Sequence, residues 1–192
     1  MNVLFSLLML LAPVKLEHAQ FTIVKDGMKI GTEDFSIAKR GAGYFVEGKT
    51  VIGEMVVSSQ MELDDKLGVI SYQVSSREGS IRVKVTPPVS ELQSLVNGET
   101  STADFRFPDR GIILDDDFFH HYLILMYRVQ AGQNSFSVFV PREMRDGTAT
   151  VRRTGSGKYD LQVGDVRLQA TTDTDGRLIR LAVPAVNVVV ER

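Results

Sequence analysis

Within Ile112–Leu125, which reads IILDDDFFHHYLIL, three aspartates (Asp115, Asp116, Asp117) and two histidines (His120, His121) sit in one of the most apolar stretches of the chain. Carboxylates and imidazoles together are the raw material of metal and acid/base sites. On a helix, Asp116 and His120 are four residues apart, as are Asp117 and His121, so each pair can touch. His120 and His121 themselves project about 100° apart and cannot easily grip one ion, unlike histidines spaced i, i+4. A metal would therefore need carboxylates from distant strands. The aspartates also have a structural use. Asp115 can cap free backbone N–H groups at a helix start, while Asp116 and Asp117 in the first turn meet the positive end of the helix dipole. We read the stretch as a capped helix start with a short polar seam of Asp117, His121 and Arg128, holding no metal and no cofactor.

Other motifs fail position by position. In TDTDG, setting Asp173, Asp175 and Gly176 at positions 3, 5 and 6 of a calcium loop puts Thr171 at position 1 and Ala182 at the bidentate position 12. In TGSGKY, Tyr159 follows Lys158, and Arg152 stands where a phosphate loop needs its first glycine. No G-x-S-x-G elbow occurs. With no cysteine, thiolate catalysis, iron–sulfur clusters and cysteine zinc sites are excluded, and so is any disulfide framework. These failures point away from the familiar hydrolases and toward a protein that is not an enzyme.

The elements that must position these residues follow from periodicity. From Gln20 onward the dominant period is two. SIRVKV alternates Ile81, Val83 and Val85 with Arg82 and Lys84, and MVVSSQMEL sets Met55, Val57, Met61 and Leu63 against Ser58, Gln60 and Glu62. Further strands are expected at Tyr44–Ile52, Val69–Ser76, Ser135–Val140, Thr148–Thr154, Val166–Thr172 and Val186–Glu191. The pairs Asp26-Gly27, Asn97-Gly98, Asp146-Gly147 and Asp175-Gly176 suit tight hairpin turns. About a dozen short strands in one meander must curl or close to protect their edges. One segment has helical spacing: Phe118, Phe119, Tyr122, Leu123, Leu125, Met126 and Val129, closing with Arg128 and Gly132. It is apolar around most of its circumference and so should be covered on more than one side. The expected fold is mainly β: a strongly curved antiparallel meander or half-barrel with one central helix at about 116–129.

Twenty-two basic against 24 acidic residues leave a net charge of -2 with no basic run, which excludes a nucleic-acid footprint. Scattered prolines and glycines supply no linker, so residues 20–192 are expected to form one domain. Val3–Val14 is nearly all apolar, and a polar stretch and Ala19 follow it. Residues 1–19 read as a secretory leader, because about 12 apolar residues fall short of the roughly 20 that span a bilayer. The expectation is a periplasmic or secreted protein with no transmembrane anchor.

The order of features resembles a family of exported bacterial domains of unknown function: leader, DGMKIGTEDFSI opening hairpin, LDDDFFHHYLILMYRVQAG helix, FSVFVPR strand and closing DGRLIRLAVP. More distantly it resembles the curved-sheet lipoprotein-carrier fold of the bacterial envelope. That resemblance implies an apolar ligand held in the concavity of the sheet with the helix as its cover, although this chain has one helix where the carriers have more. No functional residue is carried over.

Two readings follow. The first is an exported, non-catalytic envelope protein that binds a lipid or other apolar small molecule through Met55, Val57, Met61, Phe105, Phe136, Tyr122 and Met126. Flexible thioethers on inward faces suit such a pocket. The second is an envelope structural or protein-interaction module with a solid core, whose partner, an envelope protein, meets a sheet edge or the exposed polar faces; an edge left open, especially near Val186–Arg192, would favour it. A metal-assisted hydrolase at Asp116, Asp117, His120 and His121 is a distant third.

Overall fold

The alternation predicts strands that must pair with their sequence neighbours, and the computed structural model, which describes residues 14–192, does this in two wings. The first wing runs through β1 (Glu17–Lys25), β2 (Met28–Arg40), β3 (Gly43–Ile52), β4 (Met55–Leu63), β5 (Val69–Ser76), β6 (Gly79–Lys84), β7 (Ser90–Val96) and β8 (Glu99–Phe105), each antiparallel to the one before. The second begins with β9 (Ile112–Ile113) and helix α1 (His121–Gln130). It continues through β10 (Ser135–Val140), β11 (Arg145–Gly155), β12 (Lys158–Val163), β13 (Val166–Thr172), β14 (Leu178–Val183) and β15 (Val188–Glu191). The wings join where β15 pairs with β1, giving one sheet of 15 strands with β8 and β9 at its ends. Only β9 and β10 run parallel. Among the described residues the fold is thus mainly β with a single α-helix, as expected.

The sheet is not closed by hydrogen bonds, but its ends meet. Phe105 on β8 stacks on Phe139 of β10 at 4.5 Å between ring centroids, with Phe107 packed edge-on at 5.9 Å from Phe139. A short 3-10 turn, Pro141–Glu143, links β10 to β11 and rests against β6. Inside this curl lies α1, with Leu123 through Arg128 all buried. That explains why its apolar residues spread around the circumference: the helix has sheet on several sides. No helix among the described residues is long and apolar enough to cross a membrane.

The hairpin chemistry holds at Asp26-Gly27 and Asn97-Gly98, where both residues of each pair have positive φ (52° and 79°, 53° and 83°). Three local expectations are corrected. Asp146-Gly147 lies inside β11, and the reversal is made by the 3-10 turn, ending at Met144 with φ 49°. The segment near Val186–Arg192 is no open edge, because β15 is flanked by β1 and β14. The helix begins at His121 instead of near residue 116, since Asp116 and Asp117 form a separate turn. The apolar run expected as a leader lies, apart from Val14, outside the described residues, and Glu17–Ala19, expected to belong to the leader, open β1.

Candidate functional site

Strand β2 turns Gly31, Glu33, Phe35 and Ile37 to one face, and that face is the interior. Glu33 is therefore a carboxylate in phase with core residues, 0% exposed. A charge so placed persists only when several donors meet it. Its Oε1 accepts the backbone N–H of His120 at 2.7 Å and lies 2.6 Å from the His120 ring Nδ1, and its Oε2 accepts the backbone N–H of Phe119 at 2.8 Å. Both amides lie just before α1, His120 being its N-cap residue. Glu33 thus caps the helix from a strand 87 residues earlier in the chain.

The ring of His120 is held on every side. Nε2 lies 3.2 Å from the hydroxyl of Ser59 on β4, Phe35 stacks in parallel at 6.4 Å, and Phe118 meets it edge-on at 5.4 Å. Gly48 of β3 lies under the ring. A Cβ at this position would collide with ring atoms Cε1 and Nδ1, so the close approach itself requires glycine here. Thr50, next to Glu33 in register, donates to the carbonyl of Asp117 at 2.8 Å and so ties down the turn that leads into the helix.

Ser59, His120 and Glu33 have the order of a nucleophile, base and orienting carboxylate, with the carboxylate on Nδ1 and the hydroxyl on Nε2. The surroundings differ from those of a working triad. Ser59 is 2% exposed and His120 0%, so no substrate carbonyl reaches the hydroxyl in this conformation. What the arrangement does in the folded chain is satisfy a buried polar network completely: hydroxyl to imidazole, imidazole and two amides to carboxylate.

The aspartates serve a second network. Asp115 accepts the hydroxyl of Tyr72 at 2.8 Å, and Arg142 of the 3-10 turn lies 3.4 Å from its other oxygen, too poorly aligned for a hydrogen bond. Arg142 also donates to Asp117. Burial holds the Asp115 carboxyl above its usual range, against the opposing pull of Arg142 and Tyr72. Burial also lowers the proton affinity of Arg142, but Asp115 and then Asp117 outweigh it and hold the guanidinium more firmly charged. His121 accepts the backbone N–H of Asp115 on Nδ1 at 3.2 Å, which places its proton on Nε2, where no acceptor stands among the described residues. Burial first, then the neighbouring His120 and Arg142, hold His121 well below its usual value of 6.5 and therefore neutral.

The capping expected of Asp115–Asp117 is therefore carried by Glu33, and the polar seam of Asp117, His121 and Arg128 does not form. Asp117 turns to Arg142, while Arg128 bonds Gln133 and the carbonyl of Arg110 at the far end of α1. Among the described residues, no three His, Cys, Asp or Glu side chains are grouped to hold a metal. Of the residues expected to contact an apolar ligand, Val57, Met61, Phe136 and Met126 are buried in one continuous core against α1. Phe105 and Tyr122 are half-buried and pack on it, while Met55, at the start of β4, is 38% exposed. Sequence reading missed Glu33, Thr50, Ser59, Gly48, Tyr72 and Arg142. Only Glu33 carried a signal: it is a charge on the apolar phase of a strand, in step with Phe35 and Ile37.

No family model, characterised protein or solved structure matches this chain.

Replacing Glu33 by Ala leaves two amides and an imidazole N–H without an acceptor in the core. Urea denaturation should show a loss of about 3–5 kcal/mol, and Glu33→Gln, which keeps an acceptor but not the charge, should lose less. Stability should also fall as pH drops below 6.5. The unfolded chain protonates His121 there and the folded chain does not, with a limiting slope of about 1.4 kcal/mol per pH unit. Asp115 acts with the opposite sign: its contribution is complete below 3.8 and shrinks as pH rises through its raised folded value. In denaturation midpoints followed from pH 7 to 5, His121→Gln should flatten the decline and Asp115→Asn should not.

Proposed function

We propose that this chain is an exported, non-catalytic envelope module that binds through its outer surface, its concavity being a packed core. The observation that carries this reading is the occupancy of the curl by α1, capped at its start by Glu33 and surrounded by buried Val57, Met61, Met126 and Phe136. A carrier of acyl chains needs an apolar cavity that accepts most of its ligand. The described cavities are instead lined by a large share of polar side chains, such as Asp34, Glu47, Lys49, Gln60 and Gln73 on the first wing. The burial of Ser59 and His120 supports the non-catalytic part of the reading.

One feature favours an extended polypeptide as partner. Strand β8 has β7 as its only strand neighbour among the described residues, and Glu99, Thr100, Ser101, Thr102 and Asp104 along it are exposed. It contains no proline or lysine that would discourage strand addition. A strand laid on this edge would gain main-chain hydrogen bonds without any opening of the core.

Native mass spectrometry of protein purified without detergent from its own compartment tests the reading. The expected result is the bare polypeptide mass. An added acyl-chain mass, lost on substitution of Met61 or Met126 by a larger side chain, would overturn it in favour of a lipid carrier.

A further inference from the structure

We propose a phosphate-binding site at the C-terminal end of α1, in the cavity formed where the turn after β4 and the turn before β9 meet the helix. This goes beyond the surface-binding reading and stands whether or not the concavity holds an acyl chain. The cavity, of about 410 Å³, is lined by Lys66, Arg110 and Arg128 against a single carboxylate, Asp64. It has room for a phosphate group together with ordered waters.

Arg128 is the centre of the site. It is 5% exposed, and two of its nitrogens are committed: Nε donates to Gln133 at 3.0 Å and Nη2 to the carbonyl of Arg110 at 2.7 Å. Those bonds fix the plane of the guanidinium. The remaining nitrogen, Nη1, is buried and has no hydrogen-bond partner among the described residues. A buried charged donor left unmatched is expensive, and a planar guanidinium held at two points has one nitrogen left over that an oxyanion would satisfy. Burial, and then the charge of Arg110, make it harder for Arg128 to stay protonated, a strain that an anion between the two would relieve.

The surroundings fit a doubly charged ligand better than a carboxylate. Three cations against one anion leave an excess of two positive charges, matching the roughly -1.5 to -2 of a phosphate monoester. Asp64 is partly committed: its Oδ1 accepts the N–H of Lys66 at 2.8 Å and of Gly68 at 2.6 Å, while its charge offsets part of the push from burial and Arg110 on Arg128. The carbonyl end of the helix opposes an anion, but the carbonyls of Tyr127, Arg128 and Val129 already accept from Ala131, Gln133 and Gly132. Backbone geometry gives a further indication. Both turns hold a non-glycine residue at positive φ, Leu67 at 64° and Arg110 at 50°. Leu67 gains burial in the core from that conformation. Arg110 is exposed and gains none. Its strained conformation presents its carbonyl to Arg128.

The test uses the whole protein with inorganic phosphate and, separately, phosphatidic acid vesicles. Wild-type protein should show a saturable rise in thermal midpoint with phosphate beyond that in chloride at equal ionic strength, and its arginine side-chain NMR signals should shift. The double variant Lys66→Gln/Arg110→Gln, altered only at exposed side chains, should bind at least tenfold more weakly while remaining folded. Arg128→Lys, which keeps the charge and loses the fork, should weaken binding as well. Vesicle binding with the same dependence on the variants would identify a lipid headgroup as the source of the phosphate, and binding of free phosphate alone would identify a soluble one. The proposal is overturned if phosphate behaves as chloride does and vesicles do not bind, or if the double variant binds as wild type.

Discussion

A buried carboxylate needs donors, and in this protein the need is met by the start of the only α-helix among the described residues. Glu33 lies on the interior face of β2, and the N–H groups of Phe119 and His120 donate to it. The residues between β9 and α1 are consequently drawn down onto the sheet. His120 must lie over Gly48, Thr50 can reach the Asp117 carbonyl, and Ser59 completes the ring's second hydrogen bond. With its start fixed in this way, α1 can fill the curl, and the filled curl sets how sharply the sheet bends before Phe105 meets Phe139. Breaking the pair costs far more than forming it contributes, because the charge would remain buried without partners.

The division into two wings has a consequence for stability. β1 and β15 sit side by side in the middle of the sheet, so the two ends of the described chain close the structure centrally. Glu17, at the start of β1, bonds Arg192, and Arg192 lies over the rings of Phe21 and Phe35. The wings therefore share a seam made of the first and last strands, while the free margins fall at β8 and β9, far along the sequence from either end. The margins are where the fold leaves backbone groups for another molecule, and the outer surface is where it leaves charge.

Much of the sheet was legible because strand alternation is a local signal. Val69–Ser76, Ser135–Val140 and Val166–Thr172 match the observed strands residue for residue. Gly132, expected just past the helix, has φ 93° and its N–H bonds Val129. What could not be read were pairings between residues far apart. Aspartates before an apolar helix look like caps by every local rule, yet Thr50 and Arg142 claim Asp117, Tyr72 claims Asp115, and the cap arrives from Glu33. The edge was misjudged for the same reason. A C-terminal strand is a natural margin unless the N-terminal strand returns to cover it, which is a matter of topology.

The Glu33 cap holds the helix start as tightly as the core itself. Native-state hydrogen exchange at the Phe119 and His120 amides measures this directly. Both amides should exchange only through global unfolding, with opening free energies and denaturant dependence equal to those of core amides such as Val46 and Met61. Exchange of these two amides through a low-energy local opening, while the strands stay protected, would mean that Glu33 does not fix the helix start and would make the helix a movable cover over the concavity.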